Sequence, residues 1–471
     1  MSHVYDVAII GAGTAGLTAQ EHIVGETENY VMIDDGPLGT TCARVGCMPS
    51  KALIAMANDF HKAGFFPEYG IAGSNGLTPD LPKIMARVRR MRDEYAGGVV
   101  DEMAPFMDKV IRKRARFIDA NTLDLGDETI RAKQIIIATG SKPWLPERWQ
   151  PYKEFVVNTD QFFELPDLPK RVAVFGLGVI GIELGQALHR LGVKVTAISR
   201  RKTAGGLTDP GLQVYAFDHF SEEMDIRQGT ADIVGKTDTG LIVACDNDQF
   251  EVDRVLLATG RRPALLDLGL DTLGVELDDN GMPPFDPATL QVGDLPVFLA
   301  GDANGLAPIL HEAADDGAVC GRNSVSEKIE GFRRRVPLHI TFSHPDIALV
   351  GQSYQKLTDS GVDFITGETT WEGWGRATMM LGKAAGRACI YADPKDGRLL
   401  GAEMMAPGGE HMGHLLAWAI GAGYTAADAL AMPFYHPVPE EALREALAEI
   451  VTRTKDPAPD FELSSLTKSQ P

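Results

Sequence analysis

The chain has 471 residues, of which 44% are hydrophobic and 23% charged, and its formal net charge at pH 7 is −20. This length predicts several domains, while the acidic excess argues against nucleic acid or anionic membranes as partners. No apolar run approaches the roughly 20 residues that a membrane-spanning helix needs. We therefore expect a cytoplasmic protein, and five cysteines are too few for the disulfide framework of a secreted one.

The first predicted unit opens with an apolar strand, VYDVAII, followed by a Gly-x-Gly-x-x-Gly run and a helical pattern. Gly11 permits a tight turn, Gly13 allows a pyrophosphate to approach the backbone, and Gly16 lets the helix pack on the strand. The next strand ends in Asp34, whose carboxylate can accept hydrogen bonds from ribose hydroxyls. The pattern predicts a βαβ unit for a dinucleotide without a 2′-phosphate, such as FAD or NAD.

Two cysteines follow this strand, Cys42 and Cys47, with four residues between them. A metal site, a structural disulfide and a redox pair are the alternatives for this spacing. Zinc is disfavoured because the other three cysteines are scattered singly, without a nearby histidine pair. A helical pattern begins near Pro49, and a helix N-terminus together with Lys51 would favour a thiolate. These features favour the redox interpretation.

A second copy of the first design lies in KRVAVFGLGVIGIELG, with its glycines at Gly176, Gly178 and Gly181. Two later strands, each followed by Ala-Thr-Gly, end at Gly140 and Gly260 and would each complete a nucleotide-binding unit. A single glycine fingerprint is weak evidence, but two copies in the same strand-to-helix context are strong. We therefore predict two dinucleotide-binding units.

The second unit differs from the first where its second strand ends. Ser199 stands in place of the acidic residue, and Arg200, Arg201 and Lys202 follow it. A carboxylate would repel a 2′-phosphate, whereas guanidinium groups bind phosphate in a bidentate manner. The segment favours NADP(H). NAD(H) is the alternative, with the basic residues forming a solvated turn.

The carboxyl-terminal third has a different pattern. From about residue 336, short apolar strands are followed by helices, which predicts a separate α+β domain. His436 lies there in a turn that contains proline, and Glu441 follows five residues later. A nucleophilic thiol needs a base and a group that orients the base, so this pair is a candidate. A histidine beside a proline is by itself more often structural. Residues 457–471 are predicted to be a loose tail.

In this order, the motifs resemble those of the flavin-dependent pyridine nucleotide-disulfide oxidoreductases, nearly from end to end. Within that family the chain is most similar to the dihydrolipoamide dehydrogenases. The segments that carry the resemblance are ARVGCMPSKALI, GVIGIELG, AGDANG and PILHEAADDG. The resemblance implies an α/β fold with two Rossmann-like domains that bind FAD and NAD(P), and a C-terminal α+β dimerisation domain.

The resemblance also implies a division of the chain into three domains. Residues 1–150 would form the FAD-binding domain, completed by residues 271–335. Residues 151–270 would form the NAD(P)-binding domain, and residues 336–471 the interface domain of a homodimer.

Roles for individual residues follow from the resemblance. Cys42 would be the thiol that exchanges with the substrate, and Cys47 would face the flavin and form the charge-transfer thiolate. Lys51 and Glu183 would form an ion pair beside the flavin, and Asp302 would bind the flavin ribitol.

The remaining catalytic pair would act between subunits. His436 would be the acid/base for Cys42 of the other subunit, oriented by Glu441. Thr41 would lie near the FAD pyrophosphate, where Gly39-Thr40-Thr41-Cys42 replaces the family's Gly-Gly-Thr-Cys. Two further departures are Val438 in place of threonine and Ser199 in place of an acidic residue.

The predicted activity is electron transfer between NAD(P)(H) and a dithiol or disulfide through FAD and the cysteine pair, without a metal. Dihydrolipoamide and lipoamide are the expected substrate pair, and a lipoyl-carrying protein is the candidate partner. An NADPH-dependent reductase of another small disulfide, such as that of glutathione, is the first alternative. A non-catalytic redox-sensing flavoprotein is the second, although both thiols and the His-Glu pair are present.

Overall fold

The computed structural model describes residues 3–381 and 385–455, so the predicted tail lies outside the described residues. Across these two ranges, none of the helices combines the length and the hydropathy needed to cross a bilayer. The fold is organised around two mostly parallel sheets and a third, antiparallel sheet.

The amino-terminal unit contains the first glycine fingerprint between its first strand and first helix. Its strands are β1 (Val4–Ile10), β2 (Tyr30–Ile33), β3 (Val110–Ile111), β4 (Arg116–Asp119), β5 (Thr122–Asp124), β6 (Thr129–Ile137) and β7 (Ser141–Pro143). Its helices are α1 (Thr14–Ile23), α2 (Thr41–Val45), α3 (Cys47–Ala63) and α4 (Leu81–Glu102).

The second unit repeats this plan around the second fingerprint. Its strands are β8 (Val156–Val157), β9 (Arg171–Phe175), β10 (Lys194–Ser199), β11 (Asp225–Gln228), β12 (Ala231–Lys236), β13 (Leu241–Cys245), β14 (Asp248–Val252), β15 (Arg254–Leu257) and β16 (Arg261–Pro263). Its helices are α5 (Thr159–Phe162), α6 (Val179–Arg190) and α7 (Pro210–Glu223).

The chain then returns to the first unit and ends in the antiparallel domain. The returning elements are β17 (Val297–Leu299) and α8 (Leu310–Val325). The last strands are β18 (Leu338–Thr341), β19 (Asp346–Gly351), β20 (Ile365–Thr370), β21 (Arg387–Ala392) and β22 (Leu399–Ala406). The last helices are α9 (Tyr354–Asp359), α10 (Gly375–Leu381), α11 (Gly409–Gly421), α12 (Ala426–Leu430) and α13 (Leu443–Arg453).

Sheet topology explains how the two fingerprints are presented. The first sheet has the order β3-β2-β1-β6-β5-β4, with β17 paired to β6, and the second has the order β11-β10-β9-β15-β8. In both, the fingerprint strand lies next to the strand that ends in Ala-Thr-Gly, and the two run parallel. Ligands of open α/β sheets bind at the carboxyl ends of such strands. The predicted fold class is confirmed.

The antiparallel domain is built around the third sheet. Its sheet has the order β18-β19-β22-β21-β20, and α11 and α13 pack on it. All eight residues of the central strand β22 are buried, including the charged Glu403. A short antiparallel ribbon of β7 and β16 joins the two nucleotide-binding units, so the segments that follow their Ala-Thr-Gly turns pair with each other.

Candidate active site

The first fingerprint forms a turn that leaves room for a phosphate group. Gly11 has a φ of +110°, and a Cβ on Gly16 would lie 1.9 Å from the carbonyl oxygen of Gly11. Within the described part of the chain, a Cβ on Gly13 would meet no atom within 4 Å, and no side chain caps the first amides of α1. Because uncapped amides at a helix N-terminus attract anions, this turn fits a pyrophosphate.

The second fingerprint has the same geometry. Gly176 has a φ of +96°, a Cβ on Gly181 would lie 1.9 Å from the Gly176 oxygen, and Gly178 again faces open space. Of the side chains that the structure describes, none caps α6 at Gly178. The two turns are therefore equivalent as sites for a dinucleotide.

The polar groups around the first turn fit FAD. The Asp34 carboxylate accepts hydrogen bonds from the amides of Ala12, at 2.7 Å, and Gly36, at 2.8 Å, which holds it at the end of β2. The Thr139 hydroxyl is buried and, among the described residues, has no hydrogen-bond partner. Asp302 is half-buried and accepts a hydrogen bond from Ser141 Oγ at 2.7 Å. These groups could bind the ribose and ribitol hydroxyls of the cofactor.

The end of β10 carries the predicted specificity residues of the second unit. Ser199 is buried, and its hydroxyl donates a hydrogen bond to the Arg201 carbonyl oxygen at 2.8 Å. Arg200 and Arg201 are exposed, and neither forms an ion pair within the described part of the chain. Lys202, in contrast, pairs with Asp218 at 2.7 Å. Two guanidinium groups are thus available to a ligand, whereas the lysine is neutralised.

The departure from the family pattern at Thr40 has a visible consequence. Thr40 has φ 59° and ψ 154°, a conformation that glycine adopts far more easily than threonine. Its hydroxyl accepts a hydrogen bond from the Ala43 amide at 3.2 Å and so caps α2. Gly39 also has a positive φ and lies against Ala96 of α4. The threonine therefore keeps the shape of a glycine turn and adds a cap. Thr41, the next residue, is exposed at the start of α2.

Cys42 and Cys47 lie on two successive helical segments and are free thiols in the structure. Cys47 is the first residue of α3, two residues earlier than the expected start near Pro49. The Cys42 thiol donates a hydrogen bond to the Cys47 sulfur, and this bond, aided by Lys51, lowers the pKa of Cys47 to about 7. The same bond and burial raise the pKa of Cys42. Of the two thiols, Cys47 is therefore the one whose thiolate form is favoured.

Lys51, one turn into α3, meets Glu183 of α6. Its Nζ lies 3.0 and 2.9 Å from the two carboxylate oxygens, and Glu183 also accepts a hydrogen bond from the Phe342 amide at 2.9 Å. Glu183 is 4% exposed. The predicted pair is formed, and it brings together the two nucleotide-binding units and the antiparallel domain.

His436 and Glu441 also form a pair. His436 Nδ1 lies 3.1 and 3.0 Å from the two Glu441 oxygens, and the carboxylate accepts a further bond from the Val438 amide. The hydrogen bond with His436 lowers the pKa of Glu441. A bound Nδ1 leaves Nε2 to exchange protons with a ligand.

One predicted contact is not made within a single chain. Among residues 3–381 and 385–455, no hydrogen bond joins His436 to Cys42 or Cys47. The imidazole is instead 81% exposed. The thiol pair and the His-Glu pair are each assembled, but they remain separate.

A hydrogen-bonded chain to Asp302 was not predicted from the sequence. Arg261 Nε donates to Ser141 Oγ at 2.8 Å, and Ser141 Oγ donates to Asp302. Arg261 also donates to the Ser141 carbonyl oxygen at 2.7 Å. The related sequences ATGSKP and ATGRRP were the available signal, because pairing of the two repeats places Arg261 beside Ser141.

The comparisons with known proteins agree with this geometry. A model of the pyridine nucleotide-disulphide oxidoreductase family matches residues 5–317, and a model of that family's dimerisation domain matches residues 338–447. The chain belongs to the pyridine nucleotide-disulphide oxidoreductase family. It is therefore a flavoprotein oxidoreductase of the FAD- and NAD(P)-binding kind, and the dimerisation domain supports a homodimer.

The related proteins are named as different enzymes of this family. The chain is 30% identical to a dihydrolipoyl dehydrogenase of Halobacterium salinarum, over 94% of this chain and 95% of the relative. It is 29% identical to the mitochondrial dihydrolipoyl dehydrogenase of Sus scrofa, over 94% and 89%. A mercuric reductase of Bacillus cereus is 27% identical, over 90% of this chain and 68% of the relative.

Solved structures share the fold. The HOCl-induced flavoprotein disulfide reductase RclA of Escherichia coli superposes with a TM-score of 0.81 at 21% identity, covering 95% of this chain and 99% of that one. LpdA of Mycobacterium tuberculosis gives 0.81 at 24% identity, covering 95% and 100%. These likenesses establish the architecture and leave the substrate to the chemistry of the site.

Proposed function

We propose that the protein is a dihydrolipoyl dehydrogenase-type enzyme that exchanges electrons between a pyridine nucleotide and a dithiol or disulfide. The observation that carries this proposal is the pair of free thiols, Cys42 in α2 and Cys47 at the start of α3, with Lys51 one turn further along α3 and paired to Glu183 at 2.9 Å. Bound FAD would supply the two-electron chemistry that connects this pair to the nucleotide. Gly13, Asp34 and Asp302 would hold the cofactor.

The thiol chemistry follows from this arrangement when the cysteines are oxidised to a disulfide. One substrate thiol gives its proton to His436 and attacks the Cys42 sulfur, which breaks the Cys42–Cys47 bond and leaves a thiolate on Cys47. The second substrate thiolate, formed as its proton leaves to solvent, attacks the substrate sulfur bound to Cys42 and closes the substrate disulfide. Cys42 departs and takes the proton from His436. Two electrons pass to the cysteine pair, and its product state is a Cys42 thiol beside a Cys47 thiolate.

Glu441 supports this role of His436. Its carboxylate is bound to Nδ1 and to the Val438 amide, so it orients the ring and stabilises the imidazolium that forms during exchange. Because the ring is exposed within one chain, we propose that it acts on Cys42 of the partner subunit in a homodimer. Two large apolar side chains of the same domain are also exposed, Trp418 at 68% and Tyr435 at 79%, which supports a partner surface in this domain.

We further propose that the second unit prefers NADP(H). The support is that position 199 carries a serine in place of an acidic residue, and that the guanidinium groups of Arg200 and Arg201 form no ion pair with any residue that the structure describes. A 2′-phosphate would bind to both. Gly176, Gly178 and Gly181 would receive the pyrophosphate, and Gly140 and Gly260 would line the closing turns of the two units.

Steady-state kinetics test the proposal directly. NADPH and NADH are each combined with lipoamide, glutathione disulfide and mercuric ion, the last because a mercuric reductase is among the relatives. Preferred turnover of lipoamide with NADPH is expected. Preference for NADH would refute the nucleotide assignment, and turnover of glutathione disulfide but not lipoamide would favour the first alternative. A Cys42→Ser variant that kept full biological activity would favour the non-catalytic, redox-sensing role.

A double arginine variant and a matched lysine variant test whether the arginines contact the 2′-phosphate or only add positive charge. Arg200→Ala/Arg201→Ala should raise the KM for NADPH by about tenfold or more, because a charge-assisted contact is lost, while the KM for NADH changes little. Lys202→Ala is the control, since Lys202 already pairs with Asp218. Equal changes for both nucleotides would contradict the 2′-phosphate assignment.

A further inference from the structure

A buried carboxylate of the antiparallel domain binds a loop of the second nucleotide-binding unit. Glu403 of β22 is 0% exposed. Its oxygens accept hydrogen bonds from the amides of Thr208 at 2.6 Å, Asp209 at 3.0 Å and Tyr354 at 2.9 Å, and from the Thr208 hydroxyl. No lysine, arginine or histidine in the described ranges forms an ion pair with it.

The hydrogen bonds hold the Glu403 carboxylate in one orientation. Removing an ionised group from water is costly unless hydrogen-bond donors replace the water, and here four donors converge on two oxygens. Asp209, whose backbone amide is one of these donors, is the N-cap of α7. Glu403 therefore also lies near the positive end of that helix. The hydrogen bonds to Glu403 therefore fix the position of the chain just before α7.

We call residues 200–209 the nucleotide loop, because they run from Arg200 at the end of β10 to the cap of α7. At its centre, the Gly205 amide donates to the Leu177 carbonyl oxygen at 2.9 Å, inside the second glycine fingerprint. Gly205 has a φ of +63°, and a Cβ there would lie 2.4 Å from Ile347 Cδ1. The loop is therefore held between the fingerprint turn and the antiparallel domain.

The same domain contacts the loop a third time. The Thr341 hydroxyl donates to the Gly205 carbonyl oxygen at 3.3 Å. Ala204 and Leu207 are also buried, at 0% and 2% exposure. The arginines at the start of the loop are exposed, but the segment that follows them is packed and hydrogen-bonded along most of its length.

We propose that Glu403 is a positioning residue for pyridine-nucleotide binding. By binding Thr208 and Asp209, it keeps the nucleotide loop in the conformation that places Arg200 and Arg201 beside the fingerprint turn before the nucleotide arrives. A loop ordered in advance loses less conformational entropy when the ligand binds, which increases affinity. This inference rests on the proposed role of the second unit in binding NADP(H).

Glu403→Gln tests the inference with little change in side-chain volume. The amide nitrogen would face an N–H donor, so the loop loses at least one hydrogen bond. In the FAD-loaded enzyme, titration with NADPH should show a Kd raised by about fivefold or more, the effect of one hydrogen bond to a charged group. The kcat at saturating nucleotide should stay within about twofold of wild type, because no group that contacts substrate is changed.

Two further variants keep the test decisive if Glu403→Gln folds poorly. Thr208→Val removes the hydroxyl donor from the loop side and should also raise the Kd for NADPH, though by less. Thr369→Val is the control: it removes a hydrogen bond to Glu445 in the same domain, at 3.2 Å, without touching the loop. Unchanged Kd values in both loop variants, or an equal rise in Thr369→Val, would overturn the inference.

The design separates this inference from the proposed function. The preference of the wild-type enzyme between NADPH and NADH tests the nucleotide assignment alone. If NADH is preferred, and Glu403→Gln raises the Kd for NADH while Thr369→Val does not, the positioning role stands and the NADP(H) assignment fails. If NADPH is preferred and neither loop variant changes its Kd, the assignment stands and the positioning role fails.

Discussion

Lys51 and Glu183 form an ion pair that connects three parts of the molecule. The Lys51 Nζ lies within 3.0 Å of both carboxylate oxygens, and it also lies 4.5 Å from the centre of the Phe342 ring. Because the Phe342 amide donates to the same carboxylate, the pair links α3 and α6 to the antiparallel domain. Its position beside Cys47 on α3 makes it part of the thiol environment as well as of the domain junction.

The first prediction concerns the stability that this pair provides. Lys51→Met leaves Glu183 buried with only an amide donor, and the loss of unfolding free energy should be about 2 kcal/mol, below the usual range for a buried pair because Lys51 is 33% exposed. Lys51→Met/Glu183→Gln should recover part of this loss. Urea unfolding of both variants measures the effect, and a double variant less stable than the single one would contradict it.

The glycine fingerprints could be predicted from the sequence, but the polar contacts that join α6 to the rest of the molecule could not. The two fingerprints were predictable because each is a local pattern whose turn, strand and helix lie within one short segment. The polar contacts of α6 are not local: Gln186 exchanges hydrogen bonds with the backbone of His344, and Arg190 binds Glu223 and Asn58. These partners come from distant segments, and helical periodicity shows a polar face without showing what covers it.

The second prediction concerns the ionisation of Cys47. Its pKa is lowered to about 7, first by the hydrogen bond from Cys42 and then by Lys51. In the reduced protein, alkylation of Cys47 by iodoacetamide should therefore increase with pH around 7, because only the thiolate reacts. Cys42→Ala should move this midpoint upward by removing the donor, and Lys51→Met should do so by removing the charge.

Cys42→Ser is the matched control for the thiol experiment. A serine hydroxyl can still donate to the Cys47 sulfur, so the midpoint should stay closer to that of the wild type than in Cys42→Ala. Equal midpoints in the alanine and serine variants would show that the hydrogen bond does not set the pKa of Cys47. The rate is best followed by mass spectrometry, which distinguishes Cys47 from the buried cysteines.

The third prediction tests whether His436 acts on the partner subunit. Cys42→Ser and His436→Ala homodimers should each be nearly inactive. In a mixed dimer, one site contains both changes and the other contains neither, so mixing equal amounts with subunit exchange should restore about one quarter of wild-type activity. Mixing without exchange is the control, and no recovery after demonstrated exchange would place the histidine and the thiols in the same subunit.

The position of His436 relative to the thiols could not be predicted from the sequence of one chain. The family resemblance implied that Glu441 orients His436, and the two side chains are paired at 3.0 Å in the structure. Their relation to the thiols depends on a second chain, and no pattern within one sequence contains that geometry. It remains a prediction that the mixed-dimer experiment decides.

The fourth prediction concerns Thr40, whose positive φ lies in a region that favours glycine. Thr40→Gly and Thr40→Ala both remove the hydroxyl that caps α2, but only the glycine also relieves the backbone strain. Thr40→Gly should therefore be about 1 kcal/mol more stable than Thr40→Ala, even after the greater flexibility of glycine in the unfolded chain is included. Thermal and urea unfolding compare them, and an alanine variant of equal or greater stability would argue against strain at this turn.

The fifth prediction uses Asp346, at the start of β19. Burial, together with the nearby negative charge of Glu410, raises the pKa of Asp346 to about 7, although the amides of Gly409 and Glu410 partly oppose the shift. A carboxyl group whose pKa is higher in the folded state contributes stability at low pH. That contribution is lost as the pH rises from about 4, where the group ionises in the unfolded chain, through 7.

Asp346→Asn should remove this pH dependence, because asparagine keeps the shape of the neutral acid. The variant should match the wild type near pH 4 and exceed its stability by about 1–3 kcal/mol at pH 8, where the half-buried wild-type carboxylate is ionised. Glu410→Gln is the control: it lowers the pKa of Asp346 and should give a smaller gain. Urea unfolding midpoints at pH 4.5 and 8 measure the difference, and an equal advantage at both values would show that ionisation of Asp346 is not its source.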